Sequence, residues 1–295
     1  MSDPLFMVKT AFYIGNYRQC VKEAQKLQLG DQSLDLECDI LMYRAYLAEG
    51  KYNLVLGEVQ SRSGPEFLAL VLLAKIMQNP SNKDAIVSEV GNVLNEGAAS
   101  LCPDIVALLC ANVYLQAGDY ESTLRVTNSA SSLECHALAV QTLIQMNRVD
   151  IATKEMKKMQ EIDEDATVSQ LSLAALNIAM ADFKSVQTAY YVYQELADKF
   201  EPTAILLNGQ AVCFLLQGKP EQAEDVLQKA LDKDSGHPET LINLSIVSQF
   251  LGAKDSAKRY ISQVKDSHPN HPYITRLEEK EKLFDELSSA LISNR

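Results

Sequence analysis

The residues best equipped for chemistry are few and scattered along the chain. His268 and His271 form the one close histidine pair, in the run His268-Pro269-Asn270-His271-Pro272. A metal site would need both imidazoles to converge with further ligands nearby. Two prolines hold this stretch extended, and no cysteine or acidic cluster adjoins it, so it reads as a turn between repeats. Cys135-His136 has the residue types of a thiolate–imidazole pair, but the two are consecutive in an apolar helical stretch, and His136 reads as a core histidine with a satisfied ring. His237 precedes Pro238 in a turn and has no evident partner. The acidic run Glu161-Ile162-Asp163-Glu164-Asp165 lacks the glycine and the terminal glutamate of a calcium loop, and suits a solvated turn between helices. There is no glycine-rich phosphate loop, no Gly-x-Ser-x-Gly elbow and no His-Glu-x-x-His motif. The expectation is a protein without a catalytic site, metal or cofactor.

Composition narrows the partner classes. The 295 residues carry a formal net charge of −12, which counts against nucleic acid, because phosphate binding needs clustered Lys and Arg. It equally disfavours adsorption to an anionic membrane surface. The nearest thing to a basic patch, Lys154 to Lys158, contains Glu155 and runs into the acidic segment just described. Met1-Ser2-Asp3-Pro4 opens no secretory leader. The longest apolar stretch, Phe67 to Met77, is about half of a bilayer span and includes Lys75, so direct membrane insertion is not expected. Cys20, Cys38, Cys102, Cys110, Cys135 and Cys213 fall at irregular spacings with no CxxC pair, and read as reduced thiols packing as small hydrophobes. Asn243-Leu244-Ser245 matches a glycosylation sequon but lies mid-helix, where it is a chance match.

These residues sit on a repeat. Residues 204–235 superpose on 238–269 with a shift of 34: Leu207 falls on Leu241, Ala211 on Ser245, Gly218 on Gly252, Ala223 on Ala257 and Ala230 on Val264. Large, small, glycine, small, apolar at that period is the tetratricopeptide (TPR) pattern. Two antiparallel helices approach closely only where small side chains occupy the crossing, and a glycine in the left-handed region lets the chain reverse between them. Weaker copies lie upstream. Gly15-Asn16-Tyr17 with Cys20 and Ala24, Gly50-Lys51-Tyr52 with Val55 and Val59, and Gly118-Asp119-Tyr120 share the turn. Pro65–Met77 with Ser81–Leu94 forms a further pair, Ser81 and Asp84 standing as a capping box. Leu133–Gln160 forms another, with Asn147 in place of the turn glycine and Ala152 at the small position. Thr167–Phe200 is helical by period and degenerate by motif. The expected fold is all-α, a TPR-like α-α superhelix of about eight helix pairs in one domain over 1–295. A capping helix at about 273–291 closes it, with the charged run Arg276–Lys282 on its wet face.

In such a repeat the first helix of each pair turns certain positions into a concave groove. They are Ile105, Leu108, Asn112, Leu115 and Gln116 in one repeat. In the last two they are Ile205, Asn208, Val212, Leu215 and Leu216, and Glu239, Ile242, Ile246, Gln249 and Phe250. More than half are aliphatic or aromatic, and a groove facing only water would not carry so many. Curvature could instead bury some of them against neighbouring repeats; the functional reading is a long, mainly apolar protein ligand held inside the curve. TPR co-chaperones that grip an acidic chain terminus use Lys, Arg and Asn at these positions. Here the corresponding pairs are Asn208 with Val212 and Ile242 with Ile246, which argues against a peptide-terminus adaptor, the alternative function for a TPR protein.

Five blocks go beyond a generic repeat. LNGQAVCFLLQGK at Leu207–Lys219, ALDKDSGHPETLINL at Ala230–Leu244 and the long block Cys135–Leu171 resemble the coatomer epsilon subunit family. So do LFMVKTAFYIGNY at Leu5–Tyr17 and the segment Arg259–Pro272. Gly91–Ser100 and the last twenty residues match least well. The resemblance implies a non-enzymatic subunit of the COPI vesicle coat, which serves Golgi-to-endoplasmic-reticulum and intra-Golgi transport. It implies the C-terminal domain of the coatomer alpha subunit as partner, with the chain curled around a projecting piece of it. It also implies a cytoplasmic protein, peripheral on Golgi membranes and COPI vesicles, attached to membrane only through the rest of the coat.

Overall fold

Helix stops set the layout of this chain. Gly218 and Gly252 adopt φ of 72° and 78° just after the first helices of two successive pairs, a region closed to most side chains and open to glycine. The same stop is made at Asn147 (φ 57°), as the sequence suggests, and at Ala181 (φ 56°), where the sequence carries no signal for it. The computed structural model describes residues 3–27, 30–97 and 100–293, and among them there are seventeen α-helices and no strand. Their order is that of eight helix–turn–helix pairs and one closing helix, the all-α TPR-like solenoid expected from the repeats.

The chain divides into two compact units, Met1–Val192 and Tyr193–Arg295. The first holds α1 (Phe6–Tyr13), α2 (Tyr17–Ala24), α3 (Gln32–Ala48), α4 (Tyr52–Val59), α5 (Pro65–Gln78) and α6 (Lys83–Gly97). It continues with α7 (Pro103–Ala117), α8 (Tyr120–Thr127), α9 (Leu133–Gln145), α10 (Val149–Asp163) and α11 (Thr167–Met180). Helix α12 (Phe183–Lys199) begins in this unit and ends in the second. Besides packing on its own partner, each first helix of a pair touches the first helix of the next, α1 on α3, α3 on α5, α5 on α7, α7 on α9 and α9 on α11. A further contact joins α1 to α11, so this layer of odd-numbered helices meets itself.

The small positions read from the repeat are where the helices cross. Cys20, Val55, Ala111 and Ala152 are fully buried. Side-chain caps fix several starts: Asn16 accepts from the Gln19 amide, Asp119 from Ser122 and Ser132 from Cys135. The start of α6 differs from the expected capping box. Pro80–Asn82 forms a short 3-10 turn in which the Asn79 side chain accepts from the Ser81 amide, and the α-helix begins only at Lys83. Helix α6 runs to Gly97 through the weakly matching stretch, of which Ala98 and Ala99 lie outside the described residues.

The second unit holds α13 (Ala204–Leu216), α14 (Pro220–Lys233), α15 (Pro238–Phe250), α16 (Lys254–Ser267) and α17 (Pro272–Ser293). Its core joins Ala211, Ala223, Leu227, Leu241, Leu244, Val264 and Ile274, so the first turn of α17 caps the last pair. Beyond that turn α17 leaves the core: Leu283, Phe284 and Leu287 are exposed along with the charged run, which is more apolar surface than a cap with a single wet face presents. The prolines at Pro238 and Pro272 occupy the first turn of α15 and α17, where a missing amide donor costs least.

Candidate partner-binding surfaces

In the first unit the odd-numbered helices enclose an open pocket of about 300 Å³. Phe12 and Tyr13 of α1 and Arg44 of α3 line one side; Leu108 and Asn112 of α7, Ala137, Leu138 and Ile144 of α9, and Val168 and Leu171 of α11 line the rest. The lining is mostly apolar, with one charged pair. Arg44 Nη1 donates to both carboxylate oxygens of Glu134 at 3.0 Å, and the two side chains are 14% and 20% exposed. The guanidinium also lies 4.5 Å above the centre of the Phe12 ring. Burial lowers the tendency of Arg44 to stay protonated, and the adjacent Glu134 carboxylate more than offsets it, leaving the group above its ordinary value. Burial, with Glu134 alongside, pushes the Tyr13 phenol well up. Tyr13 stays a neutral hydroxyl at neutral pH. Such a pocket can seat aliphatic side chains of a partner against Leu108, Leu138 and Leu171 and offer an ion pair at its rim.

The groove positions named from the sequence separate into three groups. Leu108, Asn208 and Ile242 are buried, at 3%, 7% and 3% exposure. Ile105, Asn112, Leu115, Ile205, Val212, Leu215 and Ile246 are half-buried, and of these Ile105, Leu115, Leu215 and Ile246 pack against core clusters. Leu216 and Phe250 are open, at 49% and 71% exposure. They occupy the same repeat position, 34 residues apart, at the ends of α13 and α15. Leu108 and Asn112 are brought into the pocket of the first unit, while Ile105 and Leu115 are not among its lining.

Asn208 has a structural task. Its Nδ2 donates to the Ala204 carbonyl and to Thr240 Oγ1, both at 2.7 Å, and its Oδ1 accepts from Asn243 Nδ2 at 2.9 Å. It ties α13 to α15. Sequence reasoning passed over Phe12, Tyr13, Arg44 and Glu134, although one sign was present: Arg44 interrupts the apolar run Ile40–Leu47 with a lone charge.

Elsewhere the reactive residue types are occupied structurally. His136 Nδ1 pairs with Glu155 Oε1 at 2.5 Å, and burial pushes the neighbouring Cys135 thiol up to about 11, far from a reactive thiolate. Cys20, Cys110 and Cys213 are pushed up to about 12 by the same cause. All six cysteines are free thiols. His271 Nε2 faces Glu239 at 3.2 Å, and no group of three or more ligands able to hold a metal occurs among the described residues. None of their helices is long and apolar enough to cross a membrane.

Paired helices with small residues at their crossings, left-handed stops and open apolar faces define a TPR-like protein of the kind that presents surfaces to other proteins. The family model for the coatomer epsilon subunit matches residues 1–292, and the chain belongs to that family. Coatomer subunit epsilon-1 of Arabidopsis thaliana is 36% identical over 283 residues, 96% of this chain and 95% of its own. Coatomer subunit epsilon of Caenorhabditis elegans is 36% identical over 292 residues, 98% and 99% of the two chains. Among solved structures, a tetratricopeptide repeat protein from Parabacteroides merdae superposes with a TM-score of 0.60 at 14% identity, covering 88% of this chain and 96% of that one. Family membership makes the chain a subunit of the COPI coat.

Proposed function

We propose that this chain is a non-enzymatic structural subunit that binds and stabilises the C-terminal domain of the coatomer alpha subunit, within Golgi-to-endoplasmic-reticulum and intra-Golgi transport. It works in the cytoplasm, peripheral on Golgi membranes and COPI vesicles, and reaches the membrane through the rest of the coat. The observation that carries the reading is the apolar pocket among the odd-numbered helices of the first unit, large enough for a few side chains of a projecting segment. The exposed Leu216 and Phe250 supply a second apolar contact on the face of α13 and α15. We further propose that residues 1–295 act as one structural domain in this role.

The test is direct binding of the purified chain to the folded C-terminal domain of the alpha subunit, by calorimetry or pull-down. Absence of binding between two folded partners sinks the proposal. Leu216→Asp combined with Phe250→Asp should weaken binding by at least about thirtyfold, the loss of about 2 kcal/mol that removing an interface hot spot produces. Because both side chains are open to solvent, the variant's helical circular dichroism should be unchanged. Unaltered affinity in the variant removes these two residues from the interface.

A further inference from the structure

Helix α1 is the first element of the chain and α11 lies far downstream, yet the two touch. Thr10 Oγ1 and Thr167 Oγ1, both buried, are 3.4 Å apart across 157 residues of sequence. Close by, Arg44 of α3 pairs with Glu134 of α9 across 90 residues, and Tyr13 lines the pocket beside them. These contacts form a seam, and the pocket opens along it: Phe12, Tyr13 and Arg44 stand on one side and the α7, α9 and α11 residues on the other.

The interactions named across the seam are polar, while the packing on either side is apolar. Leu5, Val8 and Ala11 bind α1 to α2 and α3 in a cluster with Cys20, Leu41 and Ala45. Leu176 of α11 belongs to a separate cluster with Val140, Met156 and Met159. Neither cluster includes a residue from the other side of the seam. Apolar contacts lose their full burial when they part, whereas hydroxyls and an ion pair regain water and lose only the small net worth of an exchanged hydrogen bond. A buried ion pair returned to water also recovers its desolvation penalty. The polar contacts named across the seam therefore part at less cost than the apolar clusters on either side of it.

From this, and resting on the binding role proposed above, we propose that α1, carried with α2 on the α3 side, is a gate. It parts from α11, and Arg44 from Glu134, to admit a segment of the alpha subunit's C-terminal domain to the pocket, and it closes again once the segment is seated. Entry then follows gate opening, and the same seam governs release.

The experiment locks the seam. Thr10→Cys with Thr167→Cys sets two thiols facing each other across the seam, in place of hydroxyls 3.4 Å apart, for oxidation to join. In the full chain under reductant, α1 amides should exchange with deuterium faster than those of α7, and oxidation should slow α1 exchange at least about tenfold. Association with the alpha-subunit domain should slow at least about tenfold on oxidation and recover on reduction. Oxidation after the complex has formed should slow dissociation instead. Glu134→Gln loosens the seam and should speed α1 exchange. Equal exchange of α1 and α7 in the reduced chain, or equal association of the cross-linked and reduced chains, each overturns the gate. If the reduced chain does not bind the alpha-subunit domain at all, the partner assignment fails, and the exchange measurements still decide the gate.

Discussion

His237 begins α15 by accepting a hydrogen bond from the Thr240 amide through Nδ1, a role open only to the neutral ring. Burial pushes its pKa down from the ordinary 6.5; His268 and His271 act in the same direction, and Asp234 and Glu239 oppose them. A depressed folded-state pKa means that the unfolded chain binds more protons near pH 6, so stability rises with pH there. The contribution is complete above about 6.5 and falls away as the pH drops through that value and then through the folded-state pKa. His237→Asn keeps a capping acceptor and removes the titration. Urea unfolding at pH 5.5 and 7.5 should show a smaller loss of stability on acidification for the variant than for the parent. Identical losses would clear His237 of the acid sensitivity. Legibility at this scale depends on chemistry that side chains advertise. Asn147 could be read as a left-handed stop because asparagine tolerates that region, whereas Ala181 adopts it against the preference of its own methyl group and gave no warning. Arg44 was visible as a charge in an apolar run, but its partner Glu134, ninety residues away, was not.

Between elements, the crossing positions were readable and the facing positions were not. Small residues at 211, 223, 245 and 257 are forced by the approach of two helices, and all four are buried. Which remaining side chains turn outward depends on the rotation of each pair against the next, and a 34-residue period does not encode that rotation. So Ile242 went into the core, and Asn208 became a tie between α13 and α15. Asn208→Leu takes one hydrogen-bond partner from buried Thr240 and one from half-buried Asn243, at a cost of about 1–3 kcal/mol. Chemical denaturation should register that loss. An unchanged midpoint would return Asn208 to the list of ligand-facing residues.

At the scale of the molecule, the eight pairs and the closing helix were legible because each pair repeats a local pattern. The two compact units were not, since no composition change or linker marks residue 192. If residues 1–295 act as one domain, calorimetric unfolding should give a single transition whose van't Hoff and calorimetric enthalpies agree. Two resolved transitions would make 1–192 and 193–295 separate folding units. The binding domain of the alpha subunit should raise the midpoint, because a ligand confined to the native state stabilises it.

The seam between α1 and α11 also has a history in the making of the chain. Helix α1 leaves the ribosome first, but the residue that meets Thr10 is not synthesised until 157 residues later. At a typical 5–20 residues per second, that interval lasts on the order of 8 to 30 seconds. Until it ends, Phe12, Tyr13 and Arg44 stand on a half-built surface, because Val168 and Leu171 of the opposite wall are still to be made. Nascent chains of this protein therefore display part of the apolar lining of the pocket before they can enclose it.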